Sequence, residues 1–266
     1  MGCIQCENSQ FGKEQKYPVK ESFIDFPQNT PLSEIEPSIE SKYLFEDSIN
    51  GGKFGFSMKI RNKVTKQIFR LKILHKTSLL KFKRTYNVIN YYKDMINLDN
   101  RFVNKIIGVY QNCDNILPVC DYSPKENLYY YLNTKKKISL EEFLFLIKCI
   151  IDGLKYLNDK GYIHGHLILQ NIILFEDNNP YGYIPKITGY SHYINFYDNN
   201  ENELKSVKDN IEQFLILYEK YLFKYIDDEN IKEKTLQQIQ NKNFQTFDSI
   251  IEFCNTIEKK QIPDIN

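Results

Sequence analysis

The chain has 266 residues, with 35 Lys and Arg against 34 Asp and Glu, and a formal net charge of +1. That length makes one or two domains and buries enough surface to fold without disulfide staples. Balanced charge excludes a dedicated nucleic-acid binder, and 42% apolar with 14% aromatic residues excludes wholesale disorder.

The first element is Met1-Gly2-Cys3-Ile4-Gln5-Cys6. Removal of Met1 frees the Gly2 amine for a myristoyl chain, and Cys3 and Cys6 offer thiols for palmitate. One acyl chain holds a protein to a membrane only marginally, and a second makes the anchor stable. This start resembles the dual-acylation start of Src-family kinases, although Cys6 stands where Ser or Thr is usual. The resemblance implies a lipid-anchored protein at the cytoplasmic face of a membrane. A zinc reading of Cys3 and Cys6 needs two further ligands, and none stands nearby. Residues 1–40 are polar and broken by Pro18, Pro27, Pro31 and Pro37, and read as an acylated arm or linker. The remaining cysteines, Cys113, Cys120, Cys149 and Cys254, lie in apolar surroundings and form no disulfide framework, which fits a reducing compartment. No segment has the ~18 uninterrupted apolar residues of a membrane span, and no secretory signal is expected.

From Tyr43 the pattern turns to strands. Alternating and β-branched residues flank the glycine turn Asn50-Gly51-Gly52-Lys53-Phe54-Gly55, and Asn62–Lys66 links the second strand to a third carrying Arg70 and Lys72. Thr77–Asn97 reads as a helix. Phe102–Tyr110 and Ile116–Tyr122 read as two more strands. Tyr129-Tyr130-Tyr131 is expected to pack in the core or, less favourably, to face a partner. The clearest helix follows. Ser139 caps it, Glu142 completes a capping box, and Leu140, Phe143, Leu144, Ile147, Ile150, Ile151, Leu154 and Leu157 recur at helical spacing up to Gly161. Then come His164-Gly165-His166-Leu167-Ile168-Leu169-Gln170-Asn171, a strand pair, Gly189-Tyr190-Ser191, an apolar helix from Asp209, and a terminal helix over Phe244–Ile257.

In this order and spacing, residues 43–219 resemble a protein kinase domain. The resemblance implies an α+β bilobal fold over 41–266, with a mainly β N-lobe at 41–120 and a truncated, mainly α C-lobe at 124–266. It implies that Gly52, Gly55, Lys72 and Asn171 are remnants of a nucleotide site, and that Asp209 braces the catalytic loop. The departures are equally specific. Asn50 replaces the first glycine, and the usual helix Glu falls near Tyr91, with Asp94 the nearest acid. Arg70 stands where the family has a small Ala over adenine, so it would block the adenine slot; Ser57 replaces an apolar residue of the same ceiling. His166 replaces the base Asp, Ile168 the phosphate-steadying Lys, and Gly189 the metal-binding Asp. Glu176, Asp177 and Asp198 are the nearest acids in sequence, and nothing in the sequence places them at a metal. His164-x-His166 reads as a packing residue and a substituted base rather than a metal pair. Only 20 residues run from Gly189 to Asp209, too few for the usual peptide-docking loop, and 47 follow Glu219.

The expectation is a catalytically inactive kinase-like protein: no enzyme, no cofactor, no metal, with degenerate catalytic positions at His166, Ile168 and Gly189. It would act as a membrane-tethered binding or scaffolding module toward protein partners, not nucleic acid. Two alternatives stand beside it: a structural subunit of a larger assembly, and an atypical ATP-dependent transferase with His166 as base.

Overall fold

The computed structural model describes residues 39–52, 55–81, 95–189, 194–195, 203–226, 229, 232–233, 237 and 244–261. Gly2, Cys3, Cys6, Tyr91, Asp94, Tyr190 and Asp198 lie outside the described residues. The chain divides into two compact units, one from Met1–Val88 and Gly108–Val119, the other from Ile89–Ile107 and Cys120–Asn266.

The first unit opens with a short helix, α1 (Ile39–Lys42), and continues into β1 (Tyr43–Gly52), β2 (Gly55–Asn62) and β3 (Ile68–His75), followed by helix α2 (Lys76–Lys81). With β4 (Ile106–Gln111) and β5 (Asn115–Asp121) these strands form a five-stranded sheet in the order β1-β2-β3-β5-β4. Successive side chains of a strand point to opposite faces. In β3 this sends Phe69, Leu71 and Ile73 to one face, where they join Ile39, Tyr43, Ile60, Leu117 and Val119 in the core. The intervening Arg70 and Lys72 are left to the other face. The turn between β2 and β3 is closed by Asn62, whose side-chain oxygen accepts from the N–H groups of Val64 and Thr65 at 2.9 and 3.0 Å.

The expected helix over Thr77–Asn97 starts one residue early as α2, and its course from 82 to 94 lies outside the described residues. The strand expected at Phe102 begins only at Ile106, because Asn100 forms a turn instead: its side chain accepts from Phe102 N–H at 2.8 Å and its carbonyl from Val103 N–H at 3.3 Å. Asn112 closes the β4–β5 hairpin in the same way, accepting from Asp114 and Asn115 N–H at 3.1 and 2.8 Å. This turn exposes Cys113, which was expected in apolar surroundings; Cys120, Cys149 and Cys254 are buried as expected.

The second unit is mainly helical. Helix α3 (Leu128–Lys135) precedes α4 (Leu140–Asp159), β6 (Tyr162–Ile163), β7 (Ile172–Glu176), β8 (Tyr183–Ile187), β9 (Ile194–Asn195), α5 (Glu203–Leu217) and α6 (Phe247–Gln261). Strands β7 and β8 pair antiparallel, as do β6 and β9. Helix α4 is the spine of this unit, with Leu140, Phe143, Leu144, Leu146, Ile147, Ile150, Ile151, Leu154 and Leu157 all buried. Each such side chain contributes about 1.5–3 kcal/mol by leaving water. Ser139 caps α4 as expected, accepting from Glu142 N–H at 3.3 Å.

The Glu142 carboxylate does not complete the capping box. It is buried and receives the hydroxyls of Tyr131 and Tyr183 at 2.5 and 2.8 Å and the Lys135 ammonium at 2.6 Å. Burial pushes the carboxyl up, but these three donors outweigh it and hold it below its ordinary value. Tyr131 is therefore half-buried, while Tyr129 and Tyr130 are exposed at 38% and 55%, against the core packing expected for the cluster.

Candidate active site

The candidate residues fall on two pieces of structure, one in each unit. The first is the face of the β1–β3 sheet that carries the buried Ser57 and the half-buried Arg70 and Lys72. Gly52 pairs with Gly55 where β1 and β2 meet at the glycine turn. Gly55 has φ +152°, and a side-chain carbon there would lie 1.8 Å from the Ile73 carbonyl oxygen. The close approach of β3 thus demands glycine at this position.

Two residues along β2, Ser57 sits opposite Lys72, and Lys59 sits opposite Arg70. Ser57, Lys59, Arg70 and Lys72 therefore share one face. Arg70 lies along the sheet, its Nη2 donating to Ser57 Oγ at 3.1 Å. The two residues substituted in the expected adenine ceiling are thus hydrogen-bonded to each other.

The second piece is the loop from His164 to Asn171. His164 is completely buried. Its Nδ1 accepts from His166 N–H at 3.2 Å, which puts the ring proton on Nε2, and Nε2 donates to the Thr188 carbonyl at 2.8 Å. Both ring nitrogens are engaged within the chain, so His164 is the packing residue expected and does not pair with His166 on a metal. Asn171 closes the loop from the other end: its Nδ2 donates to the His166 carbonyl at 2.9 Å, and its own carbonyl accepts from Thr188 N–H at 2.8 Å. The loop thereby presents His166 to solvent and leaves Ile168 half-buried.

Helix α5 braces this loop; the side chain of Asp209, the brace expected from the resemblance, lies outside the described residues. Among the described residues Asn210 is a brace. Completely buried, it accepts from His164 N–H at 3.1 Å and donates to the Tyr162 carbonyl and Asn158 Oδ1 at 3.1 and 3.3 Å. One turn on, Gln213 Oε1 accepts from Leu167 N–H at 3.3 Å. Sequence reasoning missed both amides. The signal was present, since Asn210 falls in the apolar stripe of Phe214, Leu217 and Tyr218, where an unaccompanied polar residue must have a buried partner.

The kinase resemblance implies a divalent cation on the phosphates, held by Asn171 and the residue at 189. The residues present do not fit one. Gly189 brings no carboxylate and has φ +106°, and a side-chain carbon there would lie 3.1 Å from the Asn171 amide. With Nδ2 bonded to His166, Asn171 offers one neutral oxygen to an ion that demands about six oxygens. Asp177 pairs with Arg101 at 2.8 Å. Among the described residues no group of three or more His, Cys, Asp or Glu is arranged to hold a metal ion.

Comparison with known proteins places this architecture. The model of the protein kinase domain matches residues 43–208. Human NUAK family SNF1-like kinase 1 is 20% identical over 142 residues, which is 53% of this chain and 22% of the relative. Human death-associated protein kinase 2 is 26% identical over 163 residues, 60% of this chain and 44% of the relative. The 3-phosphoinositide-dependent protein kinase B of Dictyostelium discoideum is 29% identical over 139 residues, 52% of this chain and 15% of the relative. The chain thus spans less than half the length of each of these relatives. These matches overturn the expectation that the chain is not an enzyme. That expectation weighed substituted side chains at single positions, whereas the matches weigh the whole domain, and the relatives are kinases by name.

Proposed function

Because the chain belongs to the protein kinase family, we propose that it is an ATP-dependent phosphotransferase with a rebuilt catalytic loop, in which His166 takes the proton of the acceptor hydroxyl. The hydroxyl oxygen forms a bond to the γ-phosphorus, the bond from that phosphorus to the β–γ bridging oxygen breaks, ADP leaves with the electron pair, and the hydroxyl proton passes to the His166 imidazole. Lys72 holds the phosphate chain. No step runs through a metal ion.

One observation carries this reading: the frame of the loop is complete. Four hydrogen bonds (Asn210 to His164, His164 to His166, His164 to Thr188, and Asn171 to His166) fix the backbone on both sides of an exposed imidazole. Catalysis of phosphoryl transfer is mostly positioning, so a preserved frame with a substituted base supports an enzyme of altered chemistry.

The test is transfer of γ-labelled phosphate from ATP to generic protein substrates by the purified chain. Transfer that is lost in both His166→Ala and Lys72→Ala supports the proposal. Absence of transfer above the Lys72→Ala background overturns it.

The same proposal includes a membrane tether. Gly2 beside Cys3 and Cys6 supports acylation of the amine and of one or both thiols. Held there, the domain would also meet partner proteins at the membrane surface, the binding or scaffolding role expected above. Mass spectrometry of the native N-terminal peptide checks the tether; an unmodified Gly2 removes it.

A further inference from the structure

The turn between β2 and β3 departs from an ordinary polar loop. Val64 stands at its centre with 87% of its surface exposed, between the exposed Lys63 and Lys66. The turn is held from within. Every backbone N–H from Asn62 to Gln67 has an acceptor inside the chain: the Gln67 carbonyl for Asn62, the Lys42 carbonyl for Lys63, Asn62 Oδ1 for Val64 and Thr65, the Asn62 carbonyl for Lys66, and Thr65 Oγ1 for Gln67. The two ammoniums meet neutral groups. Lys63 Nζ donates to the Glu40 carbonyl at 2.7 Å, and Lys66 Nζ to the Lys63 carbonyl at 2.8 Å. Among the described residues neither has a carboxylate partner, and Glu46, on the adjacent strand, is taken up by Lys59 and Arg61.

This arrangement suits a lipid surface. An apolar side chain between lysines is the chemistry of the membrane interface, where the ammoniums stay with anionic headgroups and the apolar group enters the layer beneath. Backbone entering that layer is costly only where its amides lack partners, and the amides of this turn are already satisfied. An acidic protein would be met by the lysines alone, whereas Val64, held out between them, calls for an apolar layer under the charge. The turn also lies where the arm joins the domain. The arm bearing Gly2, Cys3 and Cys6 runs into α1 at Ile39, and Lys63 is bonded to Glu40 and Lys42 of that helix.

We infer that the β2–β3 turn, through Lys63, Val64 and Lys66, is a second contact with an anionic lipid surface. The inference rests on the membrane tether proposed above and adds what acyl chains do not supply. The chains hold the protein at the surface, and the turn sets which end of the sheet faces it.

The test is flotation of the full chain, with its native N-terminus, on vesicles of phosphatidylcholine alone and of phosphatidylcholine with about 30% phosphatidylserine. Lys63→Gln and Lys66→Gln should each lower partition onto the phosphatidylserine vesicles about fivefold, and together about thirtyfold, since a lysine near an anionic surface contributes about 1 kcal/mol. Partition onto phosphatidylcholine alone should not change. Both residues are exposed, so these variants should melt with the wild type. The sequence contains no Trp, so Val64→Trp reports from the turn itself, and its emission should move to shorter wavelength on phosphatidylserine vesicles. Equal partition of the double variant and the wild type onto phosphatidylserine vesicles, or unshifted emission in Val64→Trp, overturns the inference and leaves the tether standing. Gly2→Ala separates the two contacts. Its loss of binding to phosphatidylcholine, with lysine-dependent binding to phosphatidylserine retained, supports both. An unmodified Gly2 in a chain that still shows lysine-dependent binding removes the tether and keeps the turn. Binding of the native chain to neither kind of vesicle overturns both.

Discussion

The sheet face and the His164–Asn171 loop solve different problems with different chemistry. The sheet face is a matter of charge: cations share one side, two of them directly opposed, with a hydroxyl ordering one. The loop is a matter of shape, and its supports are neutral: a buried imidazole, three amides and backbone groups. Substitution of the expected kinase residues has reached both regions, and in each the substituted residues are tied into the local hydrogen bonding, Arg70 to Ser57 on the sheet and His166 to His164 and Asn171 in the loop.

Substitutions can break or sharpen that contrast. The largest effect is expected from His166→Ala, which should lower phosphoryl transfer by roughly 10²–10⁴-fold, the usual share of a general base. Because His166 is exposed, its melting temperature should stay unchanged, a combination that a structural role would not produce. Asn210→Ala comes next. It strands His164 N–H and the Tyr162 carbonyl in the interior and should cost about 3 kcal/mol of stability in denaturant titration. Asn210→Asp probes the neutrality of the brace. An ionised carboxylate accepts from His164 N–H but cannot donate to the Tyr162 carbonyl, so this variant should lose ground to the wild type as pH rises.

Removing Glu142 as Glu142→Leu leaves two hydroxyls and an ammonium without their acceptor and should cost about 3 kcal/mol. The sign of its pH dependence follows from the lowered carboxyl. In the wild type the contribution is complete above the ordinary value of 4.5 and is lost as pH falls through the lower folded value, so acid unfolding should be shallower in Glu142→Gln. Gly55→Ala should loosen the β1–β2 hairpin by about 1–3 kcal/mol, since its methyl meets the Ile73 carbonyl in a backbone conformation that favours glycine. The smallest effect is chemical. Burial pushes the thiols of Cys149 and Cys254 up to about 12, so among the described cysteines Cys113 alone should react promptly with a thiol reagent in the folded state.

Much of this was legible in the sequence because it rests on periodicity. The strand alternation that separates Leu71 from Arg70 and Lys72, the capped α4 and the terminal helix all follow from spacing alone. What escaped is local polar competition. Asn100 delays β4 with a turn that the apolar run Phe102–Tyr110 conceals. Glu142 fits a capping box on spacing but finds better donors in Tyr131, Tyr183 and Lys135, far apart in the chain. The bond from Asn210 to His164 escaped as well, because family likeness draws attention to the acid beside it rather than to a buried amide. The expectation that the chain is not an enzyme is overturned by the match of residues 43–208 to the protein kinase domain, which weighs the domain where the sequence reading weighed single substitutions.

The neutrality of the Asn210 brace has a practical consequence for kinetics. Neither it nor Gln213 changes charge across the working range of pH, and the His164 ring is locked in one tautomer by two internal bonds. The hold that these two amides have on the loop backbone is then the same throughout that range, so rates measured across it compare one and the same support.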